Sequence, residues 1–192
     1  MIDKDTTSKH WLHPVVTMNI RTDSNEDNSK IQIFADGSKG EWGVGAGIAI
    51  YTTGTHTKSL KYRLDVKCTN TQAEQLAILR SLEYIANLQT VEKTAIVYAD
   101  SQTTLDSLKN SKIHTSLIET IRRKTTELEQ ATWKIRFCWV KAHTGIQGNE
   151  LPDALAKEAA VDPEFAVSYN RIAKGVVKRE LGSLSVDKWQ GD

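Results

Sequence analysis

The feature that most constrains the fold is a change of hydrophobic period about a third of the way along the chain. Apolar residues alternate with other residues in three early segments, at 31–36, 43–50 and about 56–64, as they do in strands. Residues 71–88 instead place their apolar side chains at helical spacing, on one broad face. Because consecutive strands joined by short turns pair with each other, the pattern predicts an antiparallel meander followed by a helix.

The rest of the chain predicts two more strands and three more helices. The β-branched run Thr94–Ala99 is typical of a short buried strand, and residues 134–140 alternate as a strand. Helical patterns cover about 101–110, 114–131 and 149–160. The order βββαβααβα predicts an α/β fold with a mixed five-stranded sheet, three strands antiparallel and the others parallel, flanked by helices.

Glycines mark one face of the second strand. Gly43, Gly45 and Gly47 alternate with apolar residues. Glycine inside a strand often marks a place where another backbone approaches closely, so this face is predicted to be tightly packed.

Composition fits one globular domain with additional segments at both ends. The chain has 192 residues, of which 39% are hydrophobic and 26% charged. Two cysteines are too few for a zinc site or a disulfide framework. With no signal peptide or membrane-spanning run visible, an intracellular location, cytoplasmic or nuclear, is expected. The predicted parts are a polar leader at 1–30, a catalytic domain at 31–160 and an amphipathic extension at 161–192.

Four acidic residues occupy settings that bring side chains together in an open α/β sheet. Asp36 and Asp100 each end an apolar run, Glu74 lies near a helix start, and Asp153 follows the Gly148–Glu150 segment. Ligands bind outside the carboxyl ends of strands in such sheets. Four adjacent carboxylates need cations to stay ionised, so the arrangement predicts a metal site.

Three of the four acids also have a purely structural interpretation. Asp36 before a glycine is common in turns. Glu74 fits a capping box with Thr71 as N-cap, and Asp100 is placed to cap the helix after it.

Five segments together resemble a known family. They are Phe34–Ser38, Thr69–Glu74, Tyr98–Gln102, Trp139–Gly145 and Gly148–Asp153. In this order the chain resembles the type 1 ribonuclease H domain over residues 31–160, most closely the version found in non-LTR retrotransposon polyproteins. Residues 168–190, ending in Trp189-Gln190, are similar to segments that follow the domain in such polyproteins.

The resemblance implies an endoribonuclease that hydrolyses the RNA strand of RNA–DNA hybrids with two Mg²⁺ ions, for which Mn²⁺ is expected to substitute. Asp36 would bridge both ions, Glu74 and Asp100 would complete one site, and Asp153 the other. His143 would carry a proton or help to release product. The implied partners are the hybrid and a reverse transcriptase domain of a parent polyprotein, with the chain itself a monomer. The implied substrate contacts are Gly37, Ser38, Asn70, Gln102 and Asn149.

Departures from the family pattern keep alternatives open. Pro152 stands where the family usually has a small residue, although proline is tolerated in the first turn of a helix. No basic insertion fits between the two middle helices. The basic residues nearby are expected on a solvated face; they are Lys109, Lys112, Arg122, Arg123 and Lys124.

The alternative from another functional class is a nuclease-inactive module kept for nucleic-acid binding or interdomain contact. Retention of all four acids argues against it. A 3′–5′ exonuclease of the same fold is disfavoured because position 38 is serine rather than a second acid. A transposase or integrase core is disfavoured by the spacing of the third acid.

Overall fold

A computed structural model describes residues 1–2, 19–21, 30–141 and 149–189 of the chain. The helices of this part are α1 (Asn70–Ala86), α2 (Gln102–Lys109), α3 (Ser116–Gln130), α4 (Glu150–Val161) and α5 (Lys174–Trp189). The strands are β1 (Asn19–Arg21), β2 (Ile31–Lys39), β3 (Val44–Thr52), β4 (Thr55–Leu64), β5 (Thr94–Ala99), β6 (Lys134–Trp139) and β7 (Val167–Tyr169).

All the described strands belong to one mixed sheet, in the order β1-β6-β5-β2-β3-β4-β7. β2, β3 and β4 form the predicted antiparallel meander, and β5 and β6 add in parallel beside β2. The predicted mixed sheet and element order are therefore confirmed for the central five strands.

The prediction of five strands is two short of the observed sheet. The three-residue strands β1 and β7 extend it at its edges, in parallel with β6 and β4. Three residues are too few to show an alternating pattern, so pairing with a neighbour rather than local sequence defines these strands. Both lie in segments that the sequence predicts to flank the catalytic domain.

The two faces of the sheet carry different helices. Ile31, Ile33 and Ala35 of β2 point into the main core, which they share with buried residues of α1, α2 and α3. Phe34 faces the other way, stacked on Tyr98 of β5 with ring centroids 4.6 Å apart. Helix α4 covers this second face over the meander.

The glycine face of β3 packs directly against α4, which confirms the prediction that this face is tightly packed. A Cβ at Gly45 would meet the carbonyl of Ala156, and one at Gly47 the carbonyl of Pro152. Gly43 stands in the same relation to Ala160. These carbonyls recur every four residues, so one ridge of the helix lies directly on the strand backbone.

One prediction about the helices is wrong. Arg122 does not lie on a solvated face: it is 1% exposed, and its guanidinium donates to the carbonyls of Ser107, Leu108 and Asn110 at the end of α2. In the described part of the chain, every helix is too short or too polar to cross a membrane.

Candidate active site

Parallel pairing of β2 and β5 places the first two acids side by side. Ala35 is in register with Ala99, so Asp36 and Asp100 follow at the same sheet edge, beyond the carboxyl end of the pairing. Asp36 is buried, with 7% of its surface exposed. The indole nitrogen of Trp139 donates to the main-chain carbonyl of Asp100 at 3.0 Å, which fixes the turn after β5.

The start of α1 leaves Glu74 free of any capping role. The N-cap is Thr69, not Thr71 as the sequence predicted. The Thr69 hydroxyl accepts from the Gln72 amide at 3.1 Å, and the Gln72 side chain accepts from the Thr69 amide at 3.0 Å. The capping box considered for Thr71 and Glu74 is therefore not formed; a different one, Thr69 with Gln72, lies two residues earlier, and Glu74 points elsewhere.

Glu74 is held by two side-chain donors. The Asn70 amide donates to one carboxylate oxygen at 2.8 Å, and the Thr104 hydroxyl donates to the other at 3.0 Å. Thr104 lies on α2, whose N-cap is Ser101 rather than Asp100. The capping interpretation of Asp100 is therefore wrong as well.

Gly37 sets the distance between α1 and β2. A Cβ at this position would meet the Glu74 amide nitrogen and lie 2.8 Å from the Ala73 carbonyl carbon. Only a residue without a side chain lets the helix backbone come this close to the strand. The close approach brings the backbone of Glu74 against Gly37 of β2, the residue next to Asp36.

Asp153 reaches the same place from the other face. Asn149 is the N-cap of α4, so Pro152 stands in the first turn, as expected. The Pro152 carbonyl lies over Gly47, and Gly47 is the register partner of Asp36. Proline before Asp153 is thus compatible with a well-packed helix that starts over the acidic cluster.

The pKa of the Asp36 carboxyl is raised by the other three acids as well as by burial. Burial raises its pKa to about 7, and repulsion from Asp100 adds to the rise. Asp153 and Glu74 raise it further, whereas the Gly37 amide, 2.7 Å from Oδ1, opposes the change. Three acids from other parts of the fold therefore act on one buried carboxyl.

In the described part of the chain, Lys157 is a cation that contacts one acid of this cluster. Its ammonium lies 2.7 Å from Asp153 Oδ2, one helical turn away, and its pKa is raised by that hydrogen bond and by the charges of Asp153 and Asp36. Its side chain is 61% exposed. One exposed ammonium cannot neutralise four carboxylates.

The donor set suits a hard divalent cation, although the side chains are not arranged as a closed cage. Among the described residues, no three acids, histidines or cysteines form a ready metal-ligand group. Glu74 is turned toward Asn70 and Thr104, and Asp153 toward Lys157. All donors are carboxylate oxygens around a buried group whose charged form is disfavoured, which is the chemistry that Mg²⁺ favours.

The predicted substrate-contacting residues differ in burial and in hydrogen bonding. Asn70 lies beside Glu74, and Gln102 donates to Asp106 along α2 at 3.0 Å. The Gly37 amide is engaged by Asp36, and Ser38 is half-buried next to it on β2. Asn149 is buried, and its Oδ1 has no partner within the described segments. His143 lies outside the described residues.

Sequence reasoning missed Thr104 and Lys157. Lys157 follows Asp153 by four residues on one helix, a spacing that could have predicted the ion pair. Thr104 is recognisable only as part of a cap, and its bond to Glu74 depends on how α2 packs against α1.

Comparison with known proteins is consistent with this geometry. The family model for RNase H matches residues 28–161. A ribonuclease H of Bartonella quintana is 30% identical over 140 residues, covering 69% of this chain and 90% of that protein. Human ribonuclease H1 is 30% identical over 148 residues, covering 70% of this chain and 51% of the human protein.

Solved structures share the fold. RNase H1 of the halophilic archaeon Halobacterium salinarum aligns with a TM-score of 0.52 at 22% identity, over 68% of this chain and 97% of that one. An N-terminal RNase H domain from Mycobacterium tuberculosis gives 0.55 at 21% identity, over 68% and 98%.

The fold and the acidic cluster thus define an α/β protein of the ribonuclease H-like class, which confirms the predicted fold class. The chain belongs to the RNase H family, since the family model matches well over half of it. This confirms the predicted enzyme class, a ribonuclease H hydrolase. The relatives found by sequence are bacterial and eukaryotic ribonucleases H.

Proposed function

We propose that this chain is an endoribonuclease that hydrolyses the RNA strand of RNA–DNA hybrids with two divalent metal ions. The observation that carries the proposal is the convergence of Glu74, Asp100 and Asp153 on the buried carboxyl of Asp36. Such a cluster is costly to the folded protein unless cations complete it. Retention of a costly arrangement on four separate elements favours a catalytic role.

The four acids would hold the metal ions in this proposal. Asp36, Glu74, Asp100 and Asp153 would hold two Mg²⁺ ions, with Mn²⁺ able to replace them. When bound, the ions would supply an activated water and neutralise charge on the leaving oxygen. Asn70 and Thr104 orient the Glu74 carboxylate through both of its oxygens.

Other residues would act on the substrate. Asn70 would serve a second purpose by contacting a sugar or base edge of the hybrid, together with Ser38, Gln102 and Asn149. The Oδ1 of Asn149, which has no hydrogen-bond partner among the described residues, supports its part, because a buried acceptor is stabilised when a donor arrives. His143 would shuttle a proton or assist product release.

A cleavage assay tests the proposal. The purified chain is incubated with an RNA–DNA hybrid labelled on the RNA strand, in Mg²⁺ or in EDTA, beside Asp100→Asn and Glu74→Gln. We expect metal-dependent cleavage by the wild type and a loss of at least about 100-fold in both variants. The matched control is Glu83→Gln, which removes a charge from a surface position of the same helix, α1, and should retain wild-type activity. Binding without cleavage in Mg²⁺ and in Mn²⁺ would refute the enzyme.

A binding module without nuclease activity is the second candidate, and one observation favours it. The Lys157 ammonium already pairs with Asp153, which leaves that acid less free for a metal. The two candidate functions predict different cleavage activities for the variant Lys157→Met. Restored cleavage in this variant, with none in the wild type, would show that the lysine silences the site.

We also propose a retrotransposon polyprotein as the origin of the chain, acting beside a reverse transcriptase domain. The short connection from Lys109 to Ser116 supports this, since it leaves no space for the basic insertion of some cellular enzymes. A reverse transcriptase reading frame next to the coding sequence is expected. The chain is expected to be a monomer by light scattering. An isolated gene without such a neighbour would contradict the proposed origin.

A further inference from the structure

A segment beyond the family match runs beside the start of α1. This segment, residues 167–172, is called the strap below. It begins as β7, where Val167 and Tyr169 lie in register with Arg63 and Leu64 at the end of β4. The Tyr169 carbonyl then accepts from the Asp65 amide at 2.9 Å. The strap thus follows the chain that leads from β4 into α1.

One side-chain amide joins the strap to the cap of α1. Gln72 is 5% exposed, and its Oε1 accepts from the Thr69 amide at 3.0 Å. Its Nε2 donates to the main-chain carbonyl of Arg171 at 2.9 Å. A carboxylate has no hydrogen to donate and a hydrocarbon has neither group, so the position uses both halves of an amide.

Further contacts fix the loop before α1 from two sides. Cys68 is fully buried, with its thiol 3.6 Å from the Arg171 carbonyl and 3.9 Å from that of Tyr169. On the other side, the Lys39 ammonium donates to the Cys68 carbonyl at 2.5 Å and to the Val66 carbonyl at 3.3 Å. The loop is therefore held between the strap and the strand that carries the central acid.

The strap is itself anchored to a third element. The Arg171 guanidinium donates to the Ser116 hydroxyl at 2.7 Å, at the first residue of α3. Its outer edge pairs with the chain start, where Ile2 bridges Ile172 and the Ile172 amide donates to the Met1 carbonyl at 2.8 Å. These anchors oppose movement of Arg171 away from Gln72.

We infer that Gln72 is a positioning residue through which the strap fixes Asn70 and Glu74 over the active site. Both are in the first turns of α1, directly beside the amide that Gln72 secures. The inference rests on the proposed function, since it concerns how that site holds substrate and metal. It makes the strap a working part of the catalytic unit, although it lies outside the matched residues 28–161.

The substitution Gln72→Glu separates the strap contact from the cap. Glutamate keeps the acceptor for the Thr69 amide and is itself a usual capping-box residue, so the cap survives. It replaces the donor to Arg171 with an oxygen that repels the carbonyl. Its added negative charge would tighten metal binding, whereas loosened positioning weakens it, so the two effects have opposite signs.

For Gln72→Glu we expect the KM for hybrid and the half-saturating Mg²⁺ concentration to rise about tenfold, with kcat at saturation within about twofold of wild type. Thermal unfolding followed during Mg²⁺ titration should show the same weakening without any substrate. Amide exchange at 69–75 and 167–172 should accelerate. Gln130→Glu, the same change at the exposed end of α3, should alter none of these quantities.

A second variant guards against misfolding of the first. Ser116→Ala removes only the side-chain anchor of Arg171, and we expect a shift of about two- to threefold in the same direction. Wild-type KM, Mg²⁺ dependence and exchange in both variants would overturn the inference. Absence of cleavage by the wild type would refute the proposed function alone, because the Mg²⁺ titration and amide exchange still report on the strap.

Discussion

Replacing the central acid should stabilise the protein in the absence of metal. Asp36→Asn is nearly isosteric, and the asparagine Oδ1 can still accept from the Gly37 amide. What it removes is a carboxyl whose charged form is disfavoured by burial and by three neighbouring acids. We therefore expect a variant that is inactive yet more resistant to unfolding in EDTA.

The size of this stabilisation and its dependence on pH follow from the raised pKa of Asp36. Each unit of pKa is worth about 1.36 kcal/mol, so a rise from 3.8 to about 7 costs the folded state about 4 kcal/mol once Asp36 is ionised. Below the unfolded value both states bind the proton, and this cost vanishes. It grows as pH rises and is complete above the folded value. Asparagine never ionises, so its advantage should grow from under about 1 kcal/mol near pH 4 to about 4 kcal/mol above pH 8.

Urea unfolding in EDTA across this pH range measures the difference directly. The control is Glu41→Gln, which alters an exposed carboxylate with no hydrogen bond or ion pair in the described part of the chain, and it should track the wild type at every pH. Saturating Mg²⁺ should stabilise the wild type and leave Asp36→Asn almost unchanged. A difference that is flat with pH, or an unfolding free energy of the variant below wild type near pH 8, would refute the reasoning.

Three further substitutions probe the cation, the helix seat and the buried arginine. Lys157→Met should lower the Mg²⁺ concentration for half-maximal thermal stabilisation by about two- to threefold at low salt, whereas Lys157→Arg should not. If neither variant changes this concentration, the lysine does not compete with the metal. Gly45→Ala forces α4 away from β3 and should lower the free energy of unfolding in urea by at least about 2 kcal/mol. Gly182→Ala, with open space around the glycine, should raise it by up to about 1 kcal/mol, and equal effects of the two substitutions would contradict the close-packing argument. Arg122→Met strands several carbonyls and should cost about 3–5 kcal/mol by the same measurement, and a loss below about 1 kcal/mol would mean that water replaces the guanidinium.

The central sheet was predictable because its signals are local. Alternating side chains define β2 to β4, and a β-branched run defines β5, whatever packs on them. The cap of α1 was not, because two overlapping segments fit the capping pattern: Thr69 with Gln72, and Thr71 with Glu74. The choice between them depends on Arg171, which lies 99 residues further along the chain than Gln72 and is therefore outside any local pattern.

The acids themselves were recognisable from their settings, whereas the residues that orient them were not. Asp36 ends the predicted strand 31–36, although β2 itself continues to Lys39, and Asp100 directly follows β5; both positions point to a ligand site in α/β sheets. The bond from Thr104 to Glu74 and the burial of Arg122 depend on the packing of α2 against α1 and α3. Thr104 and Arg122 are polar residues on helices, and a sequence pattern assigns such residues to the solvent-exposed face.

Pro152 illustrates how main-chain packing decides a question that residue identity leaves open. Its ring removes an amide hydrogen that a first helical turn does not use, so the proline costs α4 little. What places the following Asp153 is instead the Pro152 carbonyl lying over Gly47, the register partner of Asp36. A side chain at Gly47 would lift the helix and move Asp153 away from the cluster, even with every acid retained. The glycine opposite the proline therefore constrains the fourth acid more strongly than the proline beside it.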